Sequence, residues 1–142
     1  MRFYNYYLSS SAQTKKFAGI FLKEILKIPL SKQTCLPVRQ ALIIALSGNL
    51  GAGKTTFARG FLRVAGVRSK ITSPTFTLIK NYSINKLSNY KKIYHIDCYR
   101  IHKLKELIDF GLKELFENPK NIILIEWPER IQRALPKNII KV

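Results

Sequence analysis

One stretch of the chain has the residue types and spacing of a phosphate-binding loop. Residues 48–55 read Gly-Asn-Leu-Gly-Ala-Gly-Lys-Thr, which fits the pattern G-x-x-x-x-G-K-[ST]. The three glycines let the backbone curl and bring its N–H groups close to a phosphate. In this pattern Lys54 reaches the β- and γ-phosphate oxygens, and the hydroxyl of Thr55 ligates Mg²⁺. The stretch therefore predicts a nucleotide-binding P-loop.

The neighbouring segments supply the context that this motif needs, which is a buried strand before it and a helix after it. Residues 41–46 are a wholly apolar run, typical of a central parallel strand. Thr56 is predicted to open a helix whose N-terminal dipole favours an anion, and Gly66 to end it. The alternative is a chance glycine-rich turn, which would not explain the strand and the helix.

Two later strands are predicted to end in acids. The segments Lys92–Asp97 and Asn121–Glu126 are apolar strands that place carboxylates at the carboxyl edge of the sheet, where ligands bind in open α/β sheets. We favour Glu126 as the Mg²⁺ partner, with Asp97 orienting the attacking water or joining the outer metal shell. The alternative is that they cap turns or pair with nearby arginines. His95 is interpreted as a strand residue and His102 as a surface residue.

The loop between the P-loop helix and these strands is rich in hydroxyl groups. Residues 71–80 read Ile-Thr-Ser-Pro-Thr-Phe-Thr-Leu-Ile-Lys and lead into a strand predicted around Phe76–Tyr82. Ser73, Thr75 and Thr77 are candidates for sensing a γ-phosphate or its Mg²⁺. The alternative is that alternating Thr and apolar residues form a half-exposed strand.

The other predicted elements are a strand over Arg2–Leu8, a serine-capped helix to about Leu26, an irregular segment Ile28–Gln40, a hairpin turn at Ser83–Asn89, a helical pattern over 104–116 interrupted by Gly111, a short helix Glu129–Leu135 and a last strand Asn138–Val142.

Length and composition indicate one domain over residues 1–142, large enough to bury a full core. The two cysteines, Cys35 and Cys98, have no metal-like spacing and suit a reducing cytosol rather than a disulfide framework. Apolar runs are strand-sized, shorter than a membrane span. The net charge of +17, from 25 Lys and Arg against 8 Asp and Glu, indicates either a surface for RNA or an acidic partner, or compositional drift.

Four motifs together resemble the TsaE (YjeE) family, small bacterial P-loop ATPases required for the threonylcarbamoyladenosine modification of tRNA. They are Gly48–Thr56, Ser73–Leu78, His95–Arg100 and Ile125–Glu129, and the resemblance runs from about Ser11 to Pro136. It implies an α/β P-loop NTPase fold with a mostly parallel central sheet flanked by helices. It also implies a cytoplasmic, Mg²⁺-dependent ATPase that supports a TsaB–TsaD pair, reaches tRNA indirectly through that complex, and has no membrane partner.

The resemblance also implies roles for particular residues. Lys54, Asp97 and Glu126 are the catalytic set, Thr55 and Glu126 hold Mg²⁺, and the 73–77 loop is the switch. The nucleotide-binding residues it implies are Thr14, Gly48, Asn49, Leu50, Gly51, Ala52, Gly53, Lys54, Thr55, Thr56 and Trp127.

Three departures from the family pattern bear on these expectations. Asn49 stands where the family usually has Asp, Cys98 replaces an apolar residue, and relatives continue beyond Val142 through a terminal hairpin that is expected to be shortened here. Two other functions remain open from the sequence. One is a small P-loop kinase, for which Arg130 and Arg133 are the candidate lid. The other is a basic RNA-binding scaffold with a degenerate ATP site.

Overall fold

The computed structural model of the chain describes residues 6–27, 40–101 and 104–142. A five-stranded sheet has the order β2–β3–β4–β1–β5. Its strands are β1 (Leu42–Leu46), β2 (Ile79–Ser83), β3 (Lys92–Asp97), β4 (Asn121–Glu126) and β5 (Ile140–Lys141). The helices are α1 (Ser11–Lys27), α2 (Lys54–Val64), α3 (Lys105–Asp109) and α4 (Leu112–Glu117), with a 3₁₀ helix over Pro128–Ala134.

The sheet is mostly parallel, as the sequence predicts. β4 pairs in parallel with β1 and β3, β5 pairs in parallel with β1, and only β2 runs antiparallel to its neighbour β3. Every residue of β1 and β4 is buried, because a central parallel strand is covered on both faces. This confirms the predicted α/β fold with a mostly parallel sheet, and the predicted hairpin is present between β2 and β3.

The two faces of the sheet support separate hydrophobic clusters. Side chains alternate along a strand, so Leu42 and Ile44 of β1 face a cluster with α1 and α2. Ile43 faces the other cluster, with α3, α4 and the 3₁₀ helix. On the first face, a glycine lets the two helices touch. A Cβ at Gly60 would lie 2.7 Å from Cα of Lys15, so any larger residue would push α1 away from α2.

Several predicted boundaries are wrong. α2 begins at Lys54 rather than Thr56, because Gly53 adopts a left-handed conformation (φ 93°) and caps the helix there. The strand predicted from Phe76 begins at Ile79, because Thr77 N–H donates to the carbonyl of Pro74 and closes a turn. Residues 6–8 of the predicted first strand are irregular, and residues 2–5 of it lie outside the described ranges.

Other predicted elements are present. Ser10 Oγ accepts a hydrogen bond from the N–H of Gln13 and caps α1. Gly111 separates α3 from α4 (φ 79°), and Gly66 follows α2 with φ 101°. The predicted last strand is present as β5, and the short helix before it is a 3₁₀ helix. Residues 28–39 of the predicted irregular segment, which include Cys35, lie outside the described ranges. His102 also lies outside them. In those ranges no helix is both long and apolar enough to cross a membrane.

Candidate functional site

The P-loop joins the carboxyl end of β1 to the first turn of α2. Gly48, Gly51 and Gly53 all have positive φ, at 136°, 82° and 93°, a region that costs other residues about 1–2 kcal/mol each. The loop therefore needs glycine at these positions. No side chain caps the N-terminus of α2, so its first N–H groups, which have no partner within the helix, are directed toward the loop. Such a helix start binds anions.

Lys54 is buried with 8% of its surface exposed. Its ammonium donates hydrogen bonds to the carbonyls of Gly48 (2.6 Å) and Asn49 (2.8 Å). The same nitrogen lies 3.9 Å from the centre of the Trp127 ring, a distance at which the ring quadrupole attracts a cation. Since an ammonium has three hydrogens, one donor remains for a phosphate oxygen. The lysine is held inside the loop that it would serve.

Glu126, at the end of β4, is almost fully buried and is bonded on both carboxylate oxygens. Oε2 accepts a hydrogen bond from the hydroxyl of Thr55 at 2.7 Å. Oε1 lies 2.7 Å from Nε2 of His95, so the ring N–H donates to the carboxylate. His95 is itself fully buried, and its Nδ1 has no hydrogen-bond partner in the described part of the chain. Three side chains from α2, β3 and β4 thus form one connected group.

Asp97, at the end of β3, is paired in register with Glu126, but it is bonded to a loop. Oδ2 accepts a hydrogen bond from Oγ1 of Thr75 at 2.6 Å, and that hydroxyl lies 2.6 Å from Oγ of Ser73. Oδ1 accepts from the N–H of Tyr99 at 3.0 Å. The third predicted switch residue, Thr77, is exposed and has its hydroxyl 3.4 Å from the carbonyl of Pro74. The structure therefore connects Ser73 and Thr75 to the carboxylate and leaves Thr77 outside.

Trp127 follows Glu126 and turns the chain sharply. Its backbone is left-handed (φ 59°, ψ 51°), which is unusual for a large side chain and stores strain of about 1–2 kcal/mol. The turn places the indole over Lys54 and against the ring of Tyr99, with centroids 5.1 Å apart. This strained turn is part of the site, as is common where a side chain must be aimed.

Two cavities meet at the P-loop, from which Ala52, Gly53 and Lys54 line both. On the carboxylate side a cavity of about 290 Å³ is bordered by Asp97 and Glu126. The predicted residues that line it are Leu50, Gly51, Ala52, Gly53, Lys54, Thr55, Thr56, Thr75, Asp97, Glu126 and Trp127. Gly48 and Asn49 are next to it through their bonds to Lys54.

On the other side of the P-loop a cavity of about 560 Å³ is lined by Thr14 and by aromatic and apolar side chains of α1 and the residues before it. A methyl group added at Gly53 would lie 3.7 Å from Cγ2 of Thr14, so Thr14 borders the loop directly. Its hydroxyl donates to the carbonyl of Ser10. Arg130 and Arg133 line neither cavity.

The oxygen donors of the carboxylate side fit Mg²⁺. Thr55 and Glu126 present a hydroxyl and a carboxylate that already touch, and hard oxygen ligands are those that Mg²⁺ prefers. Among the described residues, no three His, Cys, Asp or Glu side chains form a metal-binding cluster. Magnesium at nucleotide sites takes only one or two protein ligands, with water and phosphate oxygens completing the octahedron. Thr55 and Glu126 could therefore hold it.

Sequence reasoning missed two contributors to this edge of the sheet. His95 was expected to be a strand residue, and it is, but its bond to Glu126 was not predicted. Its position two residues before Asp97 was the available signal, since residues i and i+2 share a strand face. Lys80 was also missed. Its ammonium bonds the hydroxyl of Thr72 and lies 3.4 Å from the carbonyl of Ser73, so it holds the loop before the switch residues.

Cys98, directly after Asp97, is fully buried and free. Burial, and then the negative charges of Asp97 and Glu129, raise the pKa of its thiol to about 12. A thiol of that pKa is a poor nucleophile at neutral pH. Cys98 therefore packs against the second hydrophobic cluster and takes no part in the chemistry of the site.

The glycine-lined loop before α2, the uncapped helix start and the carboxylates at the ends of β3 and β4 define a protein of the P-loop NTPase class. Over residues 8–142 the chain matches the family described as threonylcarbamoyl adenosine biosynthesis protein TsaE. The chain belongs to the TsaE family.

Individual relatives agree with this assignment. A tRNA threonylcarbamoyladenosine biosynthesis protein TsaE from Haemophilus influenzae is 41% identical over 128 residues, which are 90% of this chain and 70% of the relative. The protein of the same name from Bacillus subtilis is 36% identical over 113 residues, covering 80% and 67%. The crystal structure of Bacillus subtilis YdiB superposes with a TM-score of 0.63 at 28% identity, covering 94% of this chain and 70% of that one.

Proposed function

We propose that this protein binds ATP with Mg²⁺, hydrolyses it, and so supports threonylcarbamoyl transfer to tRNA by a TsaB–TsaD pair in the cytoplasm. Membership in a family of tRNA threonylcarbamoyladenosine biosynthesis proteins supports the pathway. The observation that carries the ATPase proposal is the carboxylate-side cavity. It brings the P-loop, Thr55 and two buried strand-end carboxylates around a space of about 290 Å³.

The residues divide the work between binding and hydrolysis. The N–H groups at the start of α2 and the ammonium of Lys54 bind the phosphates, while the cavity beside Thr14 takes the rest of the nucleotide. Mg²⁺, held by Thr55 and Glu126, would offset the charge that develops on the phosphoryl group. Asp97 orients a water for attack, which splits ATP into ADP and inorganic phosphate. Because Thr75 bonds Asp97 directly, the switch loop can adjust the position of that carboxylate.

His95 positions Glu126 in this scheme. Its N–H holds one carboxylate oxygen, which leaves the other oxygen directed at Thr55. Groups that hydrogen-bond a metal ligand orient it, and their loss typically costs about 10–100-fold in metal affinity or activity. Among the described residues, His95 hydrogen-bonds Glu126 and no residue of the P-loop, so its contribution is through Glu126.

Phosphate release from ATP and Mg²⁺, measured with and without the TsaB–TsaD pair from the same source, tests the proposal. We expect slow release alone and faster release with the pair.

In Lys54→Ala the nucleotide affinity should fall by roughly 10-fold or more, because a charge-assisted hydrogen bond is lost. A panel of nucleoside and metabolite acceptors belongs in the same assay. If the phosphate is found on an acceptor and not as free inorganic phosphate, the protein is a kinase and the ATPase proposal is wrong.

A further inference from the structure

The basic residues of the chain are distributed unevenly. Residues 1–96 hold sixteen of the 25 Lys and Arg residues but only one of the eight Asp and Glu residues. That single acid, Glu24, lies 2.6 Å from Nζ of Lys27 on the same helix. Nearly all of the net charge of +17 therefore comes from the first two thirds of the sequence.

The fold turns this imbalance along the sequence into two different faces. The layer of α1 and α2 is built from residues before 97, as is β2. The opposite layer, with α3, α4 and the 3₁₀ helix, mixes both signs of charge and contains most of the acids, namely Glu106, Asp109, Glu114, Glu117 and Glu129. The other two acids, Asp97 and Glu126, are buried at the P-loop. Exposed positive charge on the first layer is thus almost unopposed.

Two grooves organise these cations into one surface. The first, about 410 Å³, lies where α1 packs on α2, and the second, about 1140 Å³, lies between the end of α2 and the β2–β3 hairpin. Arg63 lines both grooves, so they adjoin at this residue. We name this surface the basic face, and its exposed cations are Lys15, Lys16, Arg59, Arg63, Arg68 and Lys86. No Asp or Glu of the described ranges lines either groove.

Two parts of the basic face are held by local contacts. The guanidinium of Arg63 donates hydrogen bonds to the carbonyls of Val67 (2.8 Å) and Arg68 (3.1 Å), which fixes it at the junction of the grooves. The hairpin packs closely against the end of α2, since a Cβ at Gly66 would lie 2.9 Å from Cβ of Lys86. Cations held on a packed surface lose less freedom on binding than cations on a mobile tail.

We propose that the basic face binds the phosphate backbone of RNA. Polar side chains of the β2–β3 region complete the second groove. Of the large exposed hydrophobic residues, Ile20 lies on α1, Leu50 and Phe76 lie near the P-loop, and Ile108 and Phe110 lie on the opposite layer. Interfaces with nucleic acid are polar and strongly positive, whereas the core of a protein interface is rich in aromatic residues. The choice of RNA over an acidic protein also rests in part on the proposed function in tRNA modification.

At the junction of its two grooves, the basic face is distant from the P-loop. Arg63 follows Lys54 by nine residues of a continuous helix, which at 1.5 Å per residue places it about 13 Å further along the axis. RNA bound there would leave the P-loop accessible. Direct binding would add to the indirect contact through partner proteins and would not require nucleotide.

Matched charge-neutralised variants of the full chain test this inference. Arg59→Gln/Arg68→Gln/Lys86→Gln removes three cations from the basic face, and Lys105→Gln/Lys113→Gln/Arg133→Gln removes three exposed cations from the opposite layer. The probe is a fluorescein-labelled, unmodified tRNA transcript, followed by anisotropy at several salt concentrations. The first variant should bind about 10-fold more weakly or worse and lower the salt slope by roughly 2–3, since each lost phosphate contact lowers it by about 1. The control should stay within about 2-fold.

Three results would overturn the inference. The first is an equal loss of affinity in both variants, which would show only the effect of net charge. The second is the absence of tRNA binding by the wild type at low salt. The third is displacement of tRNA by poly-glutamate at a lower concentration of charge than is needed with unlabelled RNA, which would favour an acidic protein as the partner. Melting curves of both variants verify that they fold. Lys54→Ala separates the two proposals, because it should lose nucleotide binding and keep tRNA binding. If the wild type binds tRNA but does not hydrolyse ATP, the proposed function is contradicted and the inference about the basic face is not.

Discussion

The strands β3 and β4 both end in a buried carboxylate, and the two carboxylates are held in different ways. Asp97 and Glu126 are register partners with 4% and 2% of their surfaces exposed. Glu126 is bonded by Thr55 and His95, which belong to a helix and a strand. Asp97 is bonded by Thr75, which belongs to the loop between α2 and β2, and by the backbone just after it.

We infer from this difference that Glu126 acts as an anchor, held by regular elements, and that Asp97 acts as a sensor of the loop before β2. Glu126 is hydrogen-bonded by side chains of α2 and β3, which are packed regular elements, so a change in a loop would not reach it directly. The position of Asp97 depends on the conformation of the loop that carries Ser73 and Thr75, and loops are the less stable parts of a fold. A nucleotide-dependent change in that loop would therefore reach the site through Asp97. The anchor should be sensitive to any loss of its partners, and the sensor should respond more mildly.

The largest expected effect is at the anchor. In Glu126→Gln the side chain keeps its shape and can still accept a hydrogen bond from His95, but it has no charge to hold Mg²⁺ at the phosphates. Partner-stimulated phosphate release should fall on the order of 100-fold or more, the size seen when one group that stabilises a transition state is lost. Glu129→Gln, an exposed neighbour, is the control. Full activity of Glu126→Gln would show that the metal assignment is wrong.

A smaller effect is expected at the residue that holds the anchor. His95→Leu removes the N–H that fixes Oε1 of Glu126 and leaves that oxygen buried without this donor. The Mg²⁺ concentration for half-maximal phosphate release should rise roughly 10-fold, and Mn²⁺ binding with ADP, followed by electron paramagnetic resonance, should weaken similarly. His95→Gln, which retains a donor, should recover part of the loss.

Nucleotide binding without metal separates this role from a structural one. In excess EDTA, the affinity of His95→Leu for ADP should match that of the wild type, because the hydrogen bond of His95 in the described part of the chain is to Glu126 and not to the P-loop. If the variant requires no more metal than the wild type, then the hydrogen bond to Glu126 has no positioning role. If the affinity without metal falls as well, the substitution has disturbed the P-loop itself.

What the sequence predicted well is what local pattern determines. The P-loop follows from glycines at fixed spacing, and the strand-end acids follow from apolar runs that stop at Asp97 and Glu126. The His95–Glu126 bond was missed because it depends on the register between two strands that are far apart in the sequence, and strand register cannot be read from either strand alone. The sequence predicts that His95 and Asp97 share one face of β3, but it does not predict that Glu126 of β4 lies next to them.

The predicted start of β2 is wrong because the sequence of a turn matches the pattern of a strand. Alternating Thr and apolar residues at 75–78 match a half-exposed strand, yet Pro74 and the N–H of Thr77 close a turn that leaves Phe76 with 83% of its surface exposed. The start of α2 was placed two residues late because Gly53 was assigned only to the loop. Its left-handed conformation also caps the helix, so one residue serves both elements.

The smallest expected effect is at the sensor, where two threonines allow a matched test. Thr75→Val keeps the shape of the side chain and removes the hydroxyl that donates to Asp97. Loss of one neutral donor to a carboxylate that keeps its bond to Tyr99 costs about 1 kcal/mol, so stimulated phosphate release should fall roughly 5-fold. Thr77→Val removes a hydroxyl that is 3.4 Å from the carbonyl of Pro74 and does not bond Asp97, and it should change the rate less than about 2-fold. Equal rates for the two variants would mean that Asp97 does not sense the loop, and the contrast between the two strand ends would then reduce to a difference in packing.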